Sequence, residues 1–300
     1  MVQHTSKVLL IVVGAVGAGC ASAPAPSRPQ LEAPLRGVFV PPERASSTSE
    51  VDPHPLTSSP DPVLDSPRSD PEPPWAKLDT ALTLAGPGAR NVTIVVGRGL
   101  PHDSPPPVIT VLHANCVGSV DNCSFLREIA DGRAVLVCPT GNVPCNNGAA
   151  VWGVSLQAVV DDVEGSLVTA SSALGENGPH THDVLFGSSG GAFAARNLIN
   201  SGRTGWSGLV LVGAKIQLDL AATRRAGIRR VLLAAPDGDM AAPAMRAEKA
   251  TLCRAGIPAR FVGLGPHGHG MDDASPGILA ANMDWVMGIS DDGGGATGCP

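Results

Sequence analysis

The sequence predicts an α/β domain: a mostly parallel, twisted sheet with helices on both faces. Three observations predict it. Short β-rich runs alternate with stretches whose apolar residues recur at helical spacing. The β-rich runs are apolar almost throughout, as strands are when both faces of a parallel sheet are covered. Reactive residue types cluster just after such runs, at the strand ends where open α/β sheets hold their ligands.

In chain order, Asn91–Val96 (NVTIVV) is the first expected strand, and Val108–His113 (VITVLH), after a Pro cluster, is the second. Ala134–Cys138 (AVLVC) is the third. Leu156, Val160, Val163 and Leu167 fall at helical spacing, with Asp161, Asp162 and Glu164 on the other faces. Val184–Phe186 runs through a Gly/Ser turn into an Ala-rich helix at Ala192–Ile199. Leu209–Val212 and Val231–Ala234 are further strands, and the 18 residues between them are too few for a folded lid. Ala242–Ala255 reads as a helix stopped by Gly256 and Pro258. Arg260–Leu264 is the last expected strand and Ile278–Met287 the last helix. No internal repeat is visible.

Composition sets the limits. Of 28 prolines, 14 lie in Ala21–Pro74, alternating with Ser, Asp, Glu and Ala. Such a stretch cannot bury enough surface to offset its chain entropy, so 21–74 is expected to be a disordered tether. The remainder, 75–300, is of a length that one core can hold. A net charge of −6 and a pI near 5.7 exclude the basic footprint of a nucleic-acid-binding protein. Aromatics are 3% of the chain and Tyr is absent, which leaves few stacking platforms for sugars or bases. No apolar run reaches the roughly 18 residues of a membrane-spanning helix.

The chemistry centres on Gly187-Ser188-Ser189-Gly190-Gly191, a G-x-S-x-G pattern. An apolar strand (VLF) enters it and a small-residue helix (GAFAARNLI) leaves it, which is the setting of a nucleophile elbow. The glycines make room for a sharp turn, and the helix dipole favours negative charge developing at its amino end. A serine nucleophile needs a base and a group to orient that base. The elbow predicts the chain order Ser, acid, His. RRVLLAAPDGDMAAP places Asp237 and Asp239 after one strand, and ARFVGLGPHGHGMDD places His267 and His269 after the next.

With these residues in order, the chain resembles the α/β-hydrolase-fold serine esterases over about Asp79 to Gly288. The Asp239-x-x-x-Pro243 spacing is similar to that of the family's triad acid, with Asp237 as the alternate. Gly268-His269-Gly270 resembles the family's His loop, with His267 as the alternate. Leu112-His113-Ala114-Asn115-Cys116 resembles the family's L-H-G-x segment. That match implies an oxyanion hole made by the backbone N–H groups of Gly190 and Asn115, with His113 supporting the loop. The resemblance implies ester hydrolysis by Ser189, His269 and Asp239 with no cofactor or metal, on a small-molecule or polymeric ester. Polyhydroxybutyrate depolymerases, feruloyl esterases and dienelactone-hydrolase-like proteins share this pattern. A serine peptidase on the same fold, or an inactive surface lipoprotein that only binds, are the alternatives. A monomer is expected. Trp152 is a candidate wall of the acyl pocket or a core anchor. His180-Thr181-His182-Asp183 precedes the nucleophile strand, at the far end of the sheet from the site, and reads as a solvated turn rather than a metal site.

Cysteine usage suits an exported protein. Setting Cys20 aside leaves six, an even number, consistent with three disulfides. The economical pairing is Cys116 with Cys123, Cys138 with Cys145, and Cys253 with Cys299.

The chain opens MVQHTSKVLLIVVGAVGAGC. Lys7 gives a short positive region, and Val8–Ala18 is an apolar core of signal-peptide length. Gly17-Ala18-Gly19-Cys20 resembles a bacterial lipobox, which implies lipidation of Cys20 and a membrane anchor in the cell envelope, at the outer membrane since Ala21 follows. An ordinary signal peptide cleaved after Ala21 or Ala23 is the alternative, with a periplasmic or secreted product. Either leader makes 1–20 a targeting segment. If Cys20 carries the lipid, Cys20→Ser expressed in a bacterial host loses membrane partitioning or stays unprocessed. Normal maturation and membrane retention of that variant would count against the anchor.

Overall fold

The computed structural model describes residues 81–291 apart from 87, 89, 102–104, 154 and 176–182, together with Cys299. The expected leader (1–20) and tether (21–74), the boundary at Trp75, and His180 and His182 lie outside the described residues.

The chain forms β1 (Leu82–Ala85), β2 (Asn91–Val96), β3 (Val108–Leu112), α1 (Ser119–Phe125) and β4 (Val135–Pro139). A small hairpin follows, β5 (Val143–Pro144) with β6 (Ala150–Val151), and then α2 (Leu156–Leu174). The second half strictly alternates: β7 (Val184–Ser188), α3 (Gly190–Asn200), β8 (Gly208–Val212), α4 (Leu220–Arg225), β9 (Arg230–Ala235), α5 (Ala242–Arg254), β10 (Ala259–Gly263) and α6 (Ser275–Met287). Eight strands share one sheet in the order β1-β2-β4-β3-β7-β8-β9-β10. β2 runs antiparallel to both neighbours, and every pair from β4 to β10 is parallel. This is the α/β-hydrolase fold, with its exchanged third and fourth strands and one reversed strand.

Strand alternation divides the core. Leu185, Leu209, Leu211 and Leu233 face one side, where they pack with Val163 of α2, Leu198 of α3 and Met245 of α5. Their neighbours Phe186, Val210, Val212 and Leu232 face the other, against Cys123 of α1 and Leu279 and Met283 of α6. Both faces are therefore covered, which is why these strands read as unbroken apolar runs. Buried polar groups are bonded across elements. Trp206 donates its ring N–H to Thr110 at 3.1 Å. Glu248 of α5 accepts the Leu218 N–H at 2.9 Å, which ties α5 to the loop ahead of α4. Asp162, buried in α2, pairs with Arg90 at the entrance to β2. Between β8 and β9 the chain holds α4 and its short connections.

Four elements were not anticipated: β1, α1, the β5–β6 hairpin and α4. β1 is four residues long and antiparallel to β2 at the sheet edge, with its residues alternating half-buried and exposed.

Two of the expected disulfides are corrected. The bridges are Cys116–Cys145, Cys123–Cys138 and Cys253–Cys299. Only the last was expected. The shortest-loop pairing fails because Cys123 lies within α1, which turns it inward, onto Cys138 within β4, with Cα atoms 6.0 Å apart. Cys116 stays in the loop outside, facing Cys145 of the hairpin with a Cα separation of 5.7 Å. The two bridges thus pin α1 and the β3–α1 loop separately.

Non-reducing peptide mapping is expected to recover these three pairs, and a Cys116–Cys123 peptide would contradict the arrangement. Paired Ser replacements should cost about 3 kcal/mol at Cys123–Cys138 and about 4 kcal/mol at Cys253–Cys299 by loop entropy, read as shifts in the denaturant midpoint.

Candidate active site

β7 ends in the motif and delivers Ser189 at φ 49° and ψ −113°, outside both helix and strand conformations. Among the described non-Gly residues, only Ser189 and Cys116 have positive φ. The turn is enforced by crowding. A Cβ on Gly187 would sit 2.5 Å from the Gly191 carbonyl oxygen, and one on Gly191 would sit 2.0 Å from that of Leu112. One on Gly190 would fall 1.9 Å from Asn115 Oδ1. A side chain at Gly187 would push α3 away from β7, one at Gly191 would push it away from β3, and one at Gly190 would displace the Asn115 side chain. The Ser189 N–H is held by Val212 O at 2.8 Å, which fixes the turn to β8.

The strained backbone presents the hydroxyl to an imidazole. Ser189 Oγ lies 3.1 Å from His269 Nε2. His269 Nδ1 lies 2.7 Å from Asp239 Oδ2. The other Asp239 oxygen accepts the Ala241 N–H at 2.8 Å, so the carboxylate is held at both ends. The acid's side chain is 5% exposed and the imidazole 57%. The pair therefore has a shielded inner end and an open outer end. Asp239 follows β9, and His269 lies in the loop between β10 and α6. Two backbone hydrogen bonds join those loops, Asp237 N–H to Gly265 O at 2.8 Å and Gly238 N–H to His267 O at 3.1 Å. Gly238 permits that approach, since a Cβ there would meet His267 O at 2.6 Å.

The alternates lie elsewhere. Asp237 turns outward to Arg246 at 2.6 Å, and that guanidinium lies over the Phe261 ring. His267 is held by the carbonyls of Gly268 at 2.9 Å and Leu264 at 3.0 Å, with Asp272 Oδ2 at 3.3 Å. The structure thus gathers Ser189, His269 and Asp239 and separates His267 and Asp237 from them.

Gly190 opens α3, so its N–H belongs to the first turn, which has no partner inside the helix. Asn115 lies against it. Asn115 lines a cavity of about 530 Å³ that holds Ser189 and His269 and reaches Asn122 and Phe125 of α1 and Met271. The β3–α1 loop is anchored from behind by His113. Its Nδ1–H donates to Ala114 O at 2.7 Å, and its Nε2 accepts the Gly141 N–H at 2.9 Å. Trp152 does not wall the cavity. It stacks beside His113, with ring centroids 5.1 Å apart, and donates its ring N–H to His113 O at 3.0 Å. Among the described residues no cluster of three or more His, Cys, Asp or Glu side chains could hold a metal.

Sequence reasoning did not find Asn122 or Ser188 as cavity residues. Neither belongs to a motif by its type: Asn122 needed the unanticipated α1, and Ser188 is the free position of G-x-S-x-G.

No protein-family model and no curated protein matches the sequence. Among solved structures the chain is similar to a fluorophosphonate-binding serine hydrolase of Staphylococcus aureus, at 12% identity and TM-score 0.48, over 69% of this chain and 97% of that one. It is similar to the Bacillus cereus carboxylesterase at 20% identity and TM-score 0.48, over 68% and 96% of the two chains. It is also similar to a carboxylesterase of Mesorhizobium loti at 21% identity and TM-score 0.48, over 69% and 99%. These are likenesses of fold. What the site can do follows from its own geometry.

Burial lowers the His113 pKa from 6.5, with the Ala114 hydrogen bond opposing it more weakly. The unfolded chain therefore binds a proton on this residue more readily than the folded one. Stability is unaffected by His113 well above pH 6.5 and falls as pH drops below that value. In urea unfolding across pH 4 to 8, His113→Gln is expected to flatten the acid side of the profile. An unchanged acid limb would show that His113 does not titrate in this way.

Proposed function

We propose that the protein is a serine hydrolase that cleaves carboxylic esters by two-step acyl transfer to water. The observation that carries the reading is the continuous hydrogen-bonded chain Ser189–His269–Asp239, set at a strained elbow on the edge of a cavity. Oγ of Ser189 attacks the ester carbonyl as its proton passes to His269 Nε2. Asp239 keeps Nδ1 protonated and balances the imidazolium that forms. The N–H groups of Gly190 and Asn115 face the oxyanion. The tetrahedral intermediate collapses, the C–O bond to the alcohol breaks, and His269 returns its proton to that oxygen. Water then attacks the acyl-serine and gives a proton to His269. Collapse releases the acid and restores the Ser189 hydroxyl. No step requires a cofactor.

The connection between β8 and β9 adds no domain over the site, which suits soluble esters or the exposed ends of polymers better than an interfacial lipid substrate. The lipobox-like Cys20 and the Pro-rich segment support the reading that the domain works in the cell envelope, held off a membrane by a tether. The disulfides fit an oxidising compartment.

A fluorophosphonate probe is expected to label the wild type and not Ser189→Ala. Ser189→Ala and His269→Ala should each lose about 10⁴-fold or more in kcat/KM on p-nitrophenyl esters, and the double variant no more than either, since the two act as one unit. Asp239→Asn should lose on the order of 10³–10⁴-fold by leaving the imidazole in the wrong tautomer. His267→Ala and Asp237→Asn should retain most activity. Full activity in Ser189→Ala would remove the mechanism. An inactive wild type that still bound esters would favour the binding-module alternative, and faster turnover of matched amides the peptidase.

A further inference from the structure

The cavity beside Ser189 has an uneven lining. Val212, Phe125 and Met271 are apolar; besides Ser189, His269 and Asn115, the lining carries the exposed Asp121 and two buried polar side chains. Ser188 is 3% exposed and Asn122 5% exposed, and both line the cavity. Ser188 Oγ and Asn122 Nδ2 are buried and have no hydrogen-bond partner among the described residues. Leaving such groups unpaired costs about 1–3 kcal/mol each, so a place that keeps two of them is one where a partner is supplied from outside the fold.

Their position tells which part of a substrate supplies it. Ser188 pairs in register with Val212 and shares its face of the sheet, so its hydroxyl points toward the side that carries α1 and Asn122. In the sheet, β7 is flanked by β3, whose loop leads to α1, and by β8. His269 stands on the β8 side: a Cβ built on Gly213, just past β8, would lie 3.5 Å from His269 Cε1. His269 must reach the oxygen of the departing alcohol, so the alcohol lies on the β8 side. The acyl group then extends across Ser189 toward α1, over Ser188 and Asn122.

Resting on the esterase reading above, we propose that Ser188 and Asn122 form a polar acyl subsite. It selects esters of short acids that carry a hydroxyl, ether or keto oxygen near the scissile carbonyl. The hydroxyl and the amide can each donate and accept, so either kind of oxygen is matched. Plain alkyl acids leave both groups unpaired and bind less well in the transition state, whereas a purely apolar pocket discriminates weakly against an added oxygen.

The test compares p-nitrophenyl butyrate with p-nitrophenyl methoxyacetate, which exchanges one methylene for oxygen at equal length, and with p-nitrophenyl 2-hydroxybutyrate. Each kcat/KM is divided by the rate of alkaline hydrolysis of the same ester, which removes inductive differences. At least one oxygen-bearing ester should exceed butyrate by about tenfold or more in the wild type. Asn122→Leu and Ser188→Ala, measured separately, should each shrink that ratio, and the ratio is insensitive to any general loss of activity. A wild type that is labelled by fluorophosphonate but prefers butyrate, or treats the three alike, overturns the subsite and leaves the esterase intact. A preference unchanged in both variants overturns its assignment to these residues. A wild type that is neither labelled nor active on any ester overturns the esterase reading, and the subsite with it.

Discussion

A Cβ on Gly191 would stand 2.0 Å from the Leu112 carbonyl, and one on Gly187 would stand 2.5 Å from the Gly191 carbonyl. This crowding at the end of β7 is the constraint from which the rest of the site follows. It allows α3 to start immediately against β3, with no room for a gentler turn, and it drives Ser189 into a backbone conformation that few non-Gly residues adopt. Because α3 leaves at that angle, the first-turn N–H groups, the β3–α1 loop and the cavity all meet at one hydroxyl. The cost of the strained residue is carried by the sheet: the Ser189 N–H is bonded to β8, and Phe186 and Leu185 are fully buried on opposite faces.

The other half of the site is built by loops rather than by strain. Asp239 and His269 come from successive β–α connections, and both loops would be adjustable if each stood alone. The Asp237–Gly265 and Gly238–His267 backbone bonds make them a single ladder. Asp239 is fixed by the Ala241 N–H, so the acid is set before it meets the imidazole. The difference in exposure between the two side chains has a chemical meaning. A shielded carboxylate orients its partner strongly, while an exposed imidazole can exchange protons with substrate and water.

The central strands and the order of Ser189, Asp239 and His269 were legible in the sequence. They depend on short-range signals: continuous apolar runs, glycines at forced positions, and reactive residues just past strand ends. What was missed depends on contacts between distant residues. β1 alternates over only four residues at a sheet edge, too brief for a period to register. α1 (SVDNCSF) has no amphipathic pattern, because it is a single short segment wedged over β2 and β4 rather than a helix lying along the sheet. The disulfides follow from that same omission. With α1 absent, Cys116 and Cys123 are mere neighbours; with it present, they face in different directions. Ser188 and Asn122 lie far apart in sequence and gain significance only where β7 and α1 enclose one space.

Cys253 sits in α5 and Cys299 at the far end of the chain, and between them lie β10, the loop that bears His269, and α6. Covalently, that whole region is a closed ring fastened to the domain at a helix. A ring has a property that an open tail lacks: one cut does not divide it. A protease that nicks the backbone anywhere between the two cysteines leaves both fragments joined through sulfur. The segment carrying His269 then remains attached on each side of the cut, next to the surface on which it was packed. For a domain proposed to work in the cell envelope, the bridge keeps the segment carrying His269 attached after a single nick in this region.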